Sequence, residues 1–349
     1  MVKVLIVDDS AFMRNAISSM LSSDPDIKIV GTARDGQEAI DKAVILKPDV
    51  VTMDIEMPKM DGITALRHLM EKNPVPVIMV SSLTTEGAKD TLTALELGAV
   101  DFIPKNLADL SLNIVKIKEV LIDKIKQIGR KDIRKILAKK TSELKISQPP
   151  LKITSTSSSS RRIGLVAIGT STGGPGALHQ IIPQIPKNFP VPIVIVQHMP
   201  ATFTKPFAER LNQLSNITVK EAEDGEPLKP GLALVAPGKG HMRLKRRGIE
   251  TIANTATNGD NFIYKPSVDA LMLSVAECYP GRALGVILTG MGNDGLKGFT
   301  AHKMSGGKVF AQDEKTCVVF GMPKAIIEAG LADKVLPLDE IAGEIINAV

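Results

Sequence analysis

The chain has 349 residues, 43 Lys and Arg against 38 Asp and Glu, a formal net charge of +5 and 44% hydrophobic residues, with no Trp and two Tyr. That length exceeds the about 250–300 residues that one hydrophobic core usually serves, so at least two domains are expected. No apolar run approaches the roughly 18–20 residues needed to cross a bilayer, and MVKVLIVDDS lacks the long apolar stretch of a secretory signal, so the chain reads as soluble and cytoplasmic, with no direct membrane insertion. Cys278 and Cys317, far apart and outside any C-x-x-C spacing, support neither a disulfide framework nor a metal site and read as small buried hydrophobes.

From the N-terminus, VLIV (4–7), IKIV (27–30), VVTM (50–53), VPVIMV (75–80) and AVDFI (99–103) read as strands separated by amphipathic segments. That alternation predicts a parallel sheet with helices on both faces. Ile114, Ile117, Leu121, Ile125 and Ile128 keep helical spacing into a basic segment, residues 116–145, which holds 11 Lys and Arg against 4 Asp and Glu. Its net +7 leaves −2 for the rest of the chain, so the basicity belongs to this segment alone. With little aromatic surface for base stacking and no helix-turn-helix or zinc-finger spacing, nucleic acid is not an expected partner, and a solvated helix is the default reading. The polar stretch that follows, with Pro149-Pro150 and the TSTSSSS of 154–160, buries too little apolar area to offset its ordering entropy and reads as a flexible linker. The expected organisation is a first domain over 1–122, a basic extension and Ser-rich linker over 123–160, and a second domain over 161–349.

The second domain alternates again. Strands are predicted at 163–168, 191–196, 231–237, 283–289 and 308–312, and helices at 175–184, 203–213, 266–279, 294–305 and 322–330. The two halves share this architecture but no motif, so they are not repeats. The fold class expected of the whole chain is α/β, as two doubly wound parallel-sheet domains.

In the first domain Asp8 and Asp9 follow the first strand, Asp54 the third and Lys105 the fifth, which gathers them on one sheet edge. Three carboxylates there repel one another unless a cation joins them, and Mg²⁺ suits such a site, being a hard ion that accepts carboxylates, waters and a phosphoryl oxygen. Asp54 then becomes a candidate nucleophile toward a phosphoryl donor, with Lys105 neutralising the transferred charge and Ser81, ending the fourth strand, in hydrogen-bonding position. IVDDS, MDIEMPKMDG, VSS and DFIPK, in this order, resemble a response-regulator receiver domain, a flavodoxin-like fold. The resemblance implies Asp54 as phosphoacceptor, Asp8 and Asp9 as Mg²⁺-binding acids alongside it, Ser81 and Lys105 as switch residues, and a histidine kinase as phosphodonor.

In the second domain IGTSTGG (168–174) satisfies G-x-S-x-G, a sharp strand-to-helix turn that exposes Ser171 to helix-terminal amides. A nucleophilic serine needs a base within hydrogen-bond reach and a third group to orient it. His68 lies in the first domain, and His179 and His302 fall in helical stretches as surface or packing residues. His198, in IVIVQHMP, ends a strand expected beside that of Ser171, and His241, in APGKGHMRL, is the less favoured base. Asp294, in ILTGMGNDG, fits as the orienting acid, ahead of Asp260 and Asp313. The order Ser, His, Asp is not that of α/β-hydrolases. A phosphate cradle at the same turn stays open as an alternative, although IGTSTGGPGA has neither a Walker lysine nor dinucleotide spacing.

GTSTGG, VQHMP, PSVD (266–269) and TGMGNDG resemble the catalytic domain of the chemotaxis receptor methylesterases, the CheB family. With the receiver and linker ahead of it, the similarity covers nearly the whole chain. It implies a Rossmann-like catalytic domain with Ser171 as nucleophile, His198 as base, Asp294 as orienter and Thr172 and Met291 beside the oxyanion. It implies hydrolysis of glutamate γ-methyl esters on the cytoplasmic helices of chemoreceptors, glutamine deamidation in some members, and no catalytic-domain cofactor. Thr170 departs from the small residue the family often has there. The architecture predicts a receiver that blocks Ser171 until Asp54 is phosphorylated. The strip GKGHMRLKRRG (238–248), with five basic residues and no acid, reads by default as a solvated hairpin and, more sharply, as an attractor for a Glu-rich receptor helix. The competing readings are a DNA-binding output through the basic segment and an esterase or amidase for small molecules.

Overall fold

A computed structural model describes residues 1–105, 110–129, 162–255 and 262–349. Most of the basic segment, the Ser-rich linker and Asp260 lie outside the described residues. The chain divides into two compact units, Met1–Gln148 and Pro149–Val349.

In the first unit β1 (Val2–Val7), β2 (Ile27–Ala33), β3 (Val50–Asp54), β4 (Val77–Ser81) and β5 (Asp101–Pro104) form a parallel sheet in the order β2-β1-β3-β4-β5. Between them run α1 (Ala11–Leu21), α2 (Gly36–Leu46), α3 (Gly62–Lys72) and α4 (Thr85–Glu96), and α5 (Leu110–Gly129) follows the last strand. Ser10, Asp35, Asp61 and Thr84 each cap their helix by accepting from the amide three residues on, which satisfies donors a helix start otherwise leaves unpaired. Strands β3 and β4 are buried throughout, as a sheet covered on both faces requires. The described part of the basic stretch is not simply solvated: Lys124 pairs with Asp101, and Lys126 sits 3.0 Å from both Asp24 and Asp26, which ties α5 to the unit.

The second unit is built on a seven-stranded parallel sheet ordered β14-β13-β12-β6-β7-β9-β8. Its strands are β6 (Leu165–Thr170), β7 (Ile193–Gln197), β8 (Thr218–Glu221), β9 (Leu232–Val235), β12 (Ala283–Ile287), β13 (Lys308–Gln312) and β14 (Lys334–Leu336). Its helices are α6 (Gly174–Ile181), α7 (Ala201–Leu214), α8 (Val268–Cys278), α9 (Leu296–Met304), α10 (Met322–Glu328) and α11 (Leu338–Ala348). A separate antiparallel hairpin joins β10 (Arg243–Arg247) to β11 (Glu250–Asn254). Both units are α/β folds with helices flanking a parallel sheet, and Phe203, Phe207 and Phe299 are among the largest side chains wholly buried in the second. Sequence patterning passed over β8 and β14 because they are the sheet's two edge strands. TVKE and KVL each bury a single residue and are too short for an apolar pattern to stand out.

Candidate active site

Strand order dictates what meets at the second unit's C-terminal sheet edge. β6 pairs with β7 on one side, up to Thr170 opposite Gln197, and with β12 on the other, up to Gly169 opposite Ile287. Ser171 and His198 are therefore the next residues out of two adjacent strands, and the His198 amide donates to the Thr170 carbonyl at 3.1 Å. The chain order reverses direction at β6, so the crevice lies at the sheet's switch point, where open α/β sheets bind ligands.

The Ser171 turn is pinned from three sides. The Ser171 amide donates to the Thr289 carbonyl at 3.0 Å, the Thr170 hydroxyl to the same carbonyl at 2.9 Å, and the Thr289 hydroxyl to the Thr172 carbonyl at 2.9 Å. The buried Gln197 carboxamide donates to the carbonyls of Ser171 (3.0 Å) and His198 (3.1 Å), linking the two strand ends. Gly290 sits so close that a Cβ there would lie 2.9 Å from the Ser171 Cβ, so only glycine permits this approach. Since the Ser171 amide is taken up by Thr289, donors for an anion at Ser171 have to come from neighbouring residues. Thr172 is buried within the turn and Met291 half-buried in the loop after β12.

His198 Nε2 lies 2.7 Å from Asp294 Oδ2. Asp294 also accepts from the Ser267 hydroxyl (2.9 Å) and from the amides of Val268 (2.7 Å) and Asp269 (3.2 Å), so its carboxylate sits on the N-terminus of α8. Burial alone would raise this carboxyl's pKa; the His198 bond and charge and the two amides outweigh it and hold the group below its ordinary value of 3.8. Asp269 answers in kind: it accepts from the Gly298 amide at 2.8 Å in the first turn of α9. Its own carboxyl is raised, first by burial, with Asp294 adding to it. The two helices thus cap each other through an aspartate apiece. PSVD was legible as a motif, and its Ser-x-x start marks a helix cap, but nothing in it said which carboxylate the cap would hold.

Among the described residues no hydrogen bond joins the Ser171 hydroxyl to His198; such contacts are often long before substrate arrives. Of the other sequence candidates, His241 is buried and edge-on to Phe262 at 5.4 Å, and Asp313 is engaged in a local turn by the Thr316 amide at 3.0 Å. His302 is wholly buried and bonds the Lys308 carbonyl, and His179 packs near Phe207. In the basic strip Arg246 donates to the Cys278 carbonyl at the end of α8 (2.6 Å) and Arg247 lies 3.6 Å from Glu250. Lys245, Arg246 and Arg247 all remain exposed on the hairpin.

The first unit's sheet edge carries a different constellation. Asp8 and Asp54 are buried, Asp9 is exposed, and one ligand atom from each falls within 4.8 Å of the others. Lys105 Nζ stands 3.1 Å from Asp8 Oδ2 and 2.5 Å from Asp54 Oδ2. Burial raises the Asp54 carboxyl from 3.8 to about 6, with Lys105 pulling down against it and Asp8 pushing further up. Burial works against the Lys105 ammonium, but the two acids prevail and raise it above its ordinary value. Three carboxylates against one ammonium leave a deficit of positive charge, which fits a divalent cation. Ser81 is buried, accepting from Thr91 (2.6 Å) and donating to the Gly87 carbonyl (3.2 Å), and it lines the same pocket as Asp54 and Lys105. Asp61-Gly62 has a steric reason: a Cβ on Gly62 would fall 1.9 Å from the Asp54 carbonyl oxygen, so glycine lets the loop close over Asp54.

Comparison with known proteins bears on both sites. Residues 166–345 match the family described as CheB methylesterase and residues 4–114 the response regulator receiver domain. The chain is 49% identical, over 99% of both sequences, to the protein-glutamate methylesterase/protein-glutamine glutaminase of group 1 operon of Pseudomonas putida, and 50% identical, over the full length of both, to such a protein of Oleidesulfovibrio alaskensis. Among solved structures, the Thermotoga maritima CheB methylesterase catalytic domain matches at 49% identity with a TM-score of 0.53, covering 54% of this chain and all of that one.

Proposed function

The chain belongs to the CheB methylesterase family, with a response-regulator receiver ahead of the catalytic domain, and from that premise we propose that it hydrolyses glutamate γ-methyl esters on chemoreceptors in the cytoplasm, at a rate raised by phosphorylation of its receiver. The observation that carries the catalytic reading is the His198–Asp294 pair at 2.7 Å, at the strand ends flanking Ser171.

Ser171 attacks the ester carbonyl while His198 takes its proton, and Asp294 holds the imidazole in orientation and balances the imidazolium. The oxyanion faces the backbone near Thr172 and Met291. The tetrahedral adduct collapses as His198 returns the proton to the departing methanol, and water, activated by the same base, frees Ser171 and leaves glutamate. Positioned proton transfer supplies about 10²–10⁴ in rate, and each oxyanion donor about 10²–10³. The glutaminase half of the relatives' name extends this chemistry to receptor glutamines, releasing ammonia. The chain Ser171–His198–Asp294 uses no cofactor.

In the receiver a chemotaxis histidine kinase donates the phosphoryl group to Asp54. Asp8, Asp9 and Asp54 would hold Mg²⁺, which supplies charge neutralisation on the transferred group when bound. Lys105 adds the remaining positive charge, and Ser81 reports the phosphoryl group to α4. A coupling of 1–3 kcal/mol corresponds to a change in activity of about 5–150-fold.

The test is methanol release from methylated chemoreceptor membranes, with and without acetyl phosphate and Mg²⁺. Release that requires Ser171 and rises with the phosphodonor supports the proposal. No release from the wild type while Asp54 is phosphorylated returns IGTSTGG to an anion cradle. Hydrolysis of a small methyl ester but not of receptors would point to the small-molecule reading.

A further inference from the structure

His198 is tethered to Asp294 through one ring atom, and a single hydrogen bond leaves an imidazole free to tilt about it. The Tyr264 ring lies against the imidazole face. It lies parallel to the imidazole, with centroids 4.5 Å apart and planes 10° apart. The tyrosine is half-buried, while its neighbours Ile263 and Lys265 are exposed. Its hydroxyl reaches the loop after β12, where a Cβ on Gly292 would lie 3.3 Å from it. Three and four residues on, Ser267 and Val268 hold Asp294. One stretch, 264–268, therefore touches the base with an aromatic face and the orienting acid with a hydroxyl and an amide.

We propose that Tyr264 is a positioning residue for His198: its stacked ring fixes the plane of the imidazole toward Ser171 and receives the imidazolium formed when Ser171 loses its proton. The inference rests on the reading of Ser171 and His198 given above. The chemistry favours a ring over any aliphatic side chain. A π face attracts a cation held within about 6 Å of its centroid, and this attraction appears only once His198 is charged, so it acts on the chemical step and not on substrate binding. A base displaced by about 1 Å costs about 10²-fold in rate.

The experiment measures methanol release from methylated chemoreceptor membranes by the full chain with acetyl phosphate and Mg²⁺, comparing wild type, Tyr264→Phe, Tyr264→Leu, Tyr264→Ala and Ser171→Ala, with thermal unfolding of each. Tyr264→Phe keeps the ring and is expected within about 3-fold of wild-type kcat. Tyr264→Leu and Tyr264→Ala are expected to lose about 10–100-fold in kcat with KM within about 2-fold, and Leu serves as the reading if Ala unfolds early. The proposal is overturned if Leu restores what Phe restores, if Phe falls as far as Ala, or if Ala raises KM with kcat unchanged. A wild type whose release does not depend on Ser171 sinks the catalytic reading itself, whereas Ser171-dependent release that persists undiminished in Tyr264→Ala sinks only the role of Tyr264.

Discussion

Asp54 and Asp294 are both buried aspartates at the C-terminal edge of a parallel sheet, with relative exposures of 2% and 7%, yet their protons are held in opposite ways. Asp54 shares its pocket with Asp8 and one lysine, and burial lifts its carboxyl to about 6. Asp294 has the start of α8 beneath it, a serine hydroxyl and an imidazole, and its carboxyl stays below 3.8. The depth of burial is similar; the difference lies in what solvates the charge. A carboxylate that the protein itself solvates is suited to serve a histidine continuously. A carboxylate left short of positive charge is, under the proposed function, the one that would take up a cation and a phosphoryl group, as a switch requires.

That contrast can be broken at either end. The largest effect is expected from Ser171→Ala, a loss of at least about 10⁴-fold in methanol release. Asp294→Asn follows, with a loss of about 10³–10⁴ in kcat, because the neutral amide cannot fix the tautomer or balance the imidazolium. Its stability signature has a defined sign: a carboxyl lowered in the folded state stabilises above its ordinary value of 3.8, and that contribution fades as pH falls through the folded value. Chemical denaturation at pH 7 and pH 3 should therefore show the deficit of Asp294→Asn shrinking in acid.

Asp54→Asn should abolish the rise produced by acetyl phosphate, about 5–150-fold. In Mg²⁺-free buffer it should also raise the receiver's unfolding temperature, since it removes one of three clustered negative charges. Stabilisation by Asp54→Asn beside destabilisation by Asp294→Asn is the comparison in a single calorimetric series. The smallest effect belongs to Ser267→Ala, which takes one donor from Asp294 and should cost about 1 kcal/mol, or about fivefold in kcat.

Much of this site is visible in the chain because its residues stand at strand ends. VLIVDD, VVTMD, LVAIGTS and VIVQH carry an apolar run straight into a polar residue, and parallel pairing does the rest. The roles of Ser267 and Asp269 were hidden for a physical reason: reciprocal capping depends on α8 and α9 meeting start to start, which no local spacing encodes. Tyr264 was hidden likewise, since its partner lies far away in the chain. The basic strip was legible as a hairpin, and β10 and β11 form one with Lys245, Arg246 and Arg247 exposed. What local spacing does not encode is that the exposed Arg246 also donates to the Cys278 carbonyl at the end of α8.

The central claim, that Ser171 is a nucleophile driven by a base that Asp294 holds in place, is tested most directly by the rate at which a fluorophosphonate labels the chain, with the modified peptide identified by mass spectrometry. The account predicts a label on Ser171 in the wild type and a rate lowered at least about 10²-fold in Asp294→Asn. Labelling at Thr170 or Thr172, or labelling of Ser171 at an unchanged rate in Asp294→Asn, would contradict it.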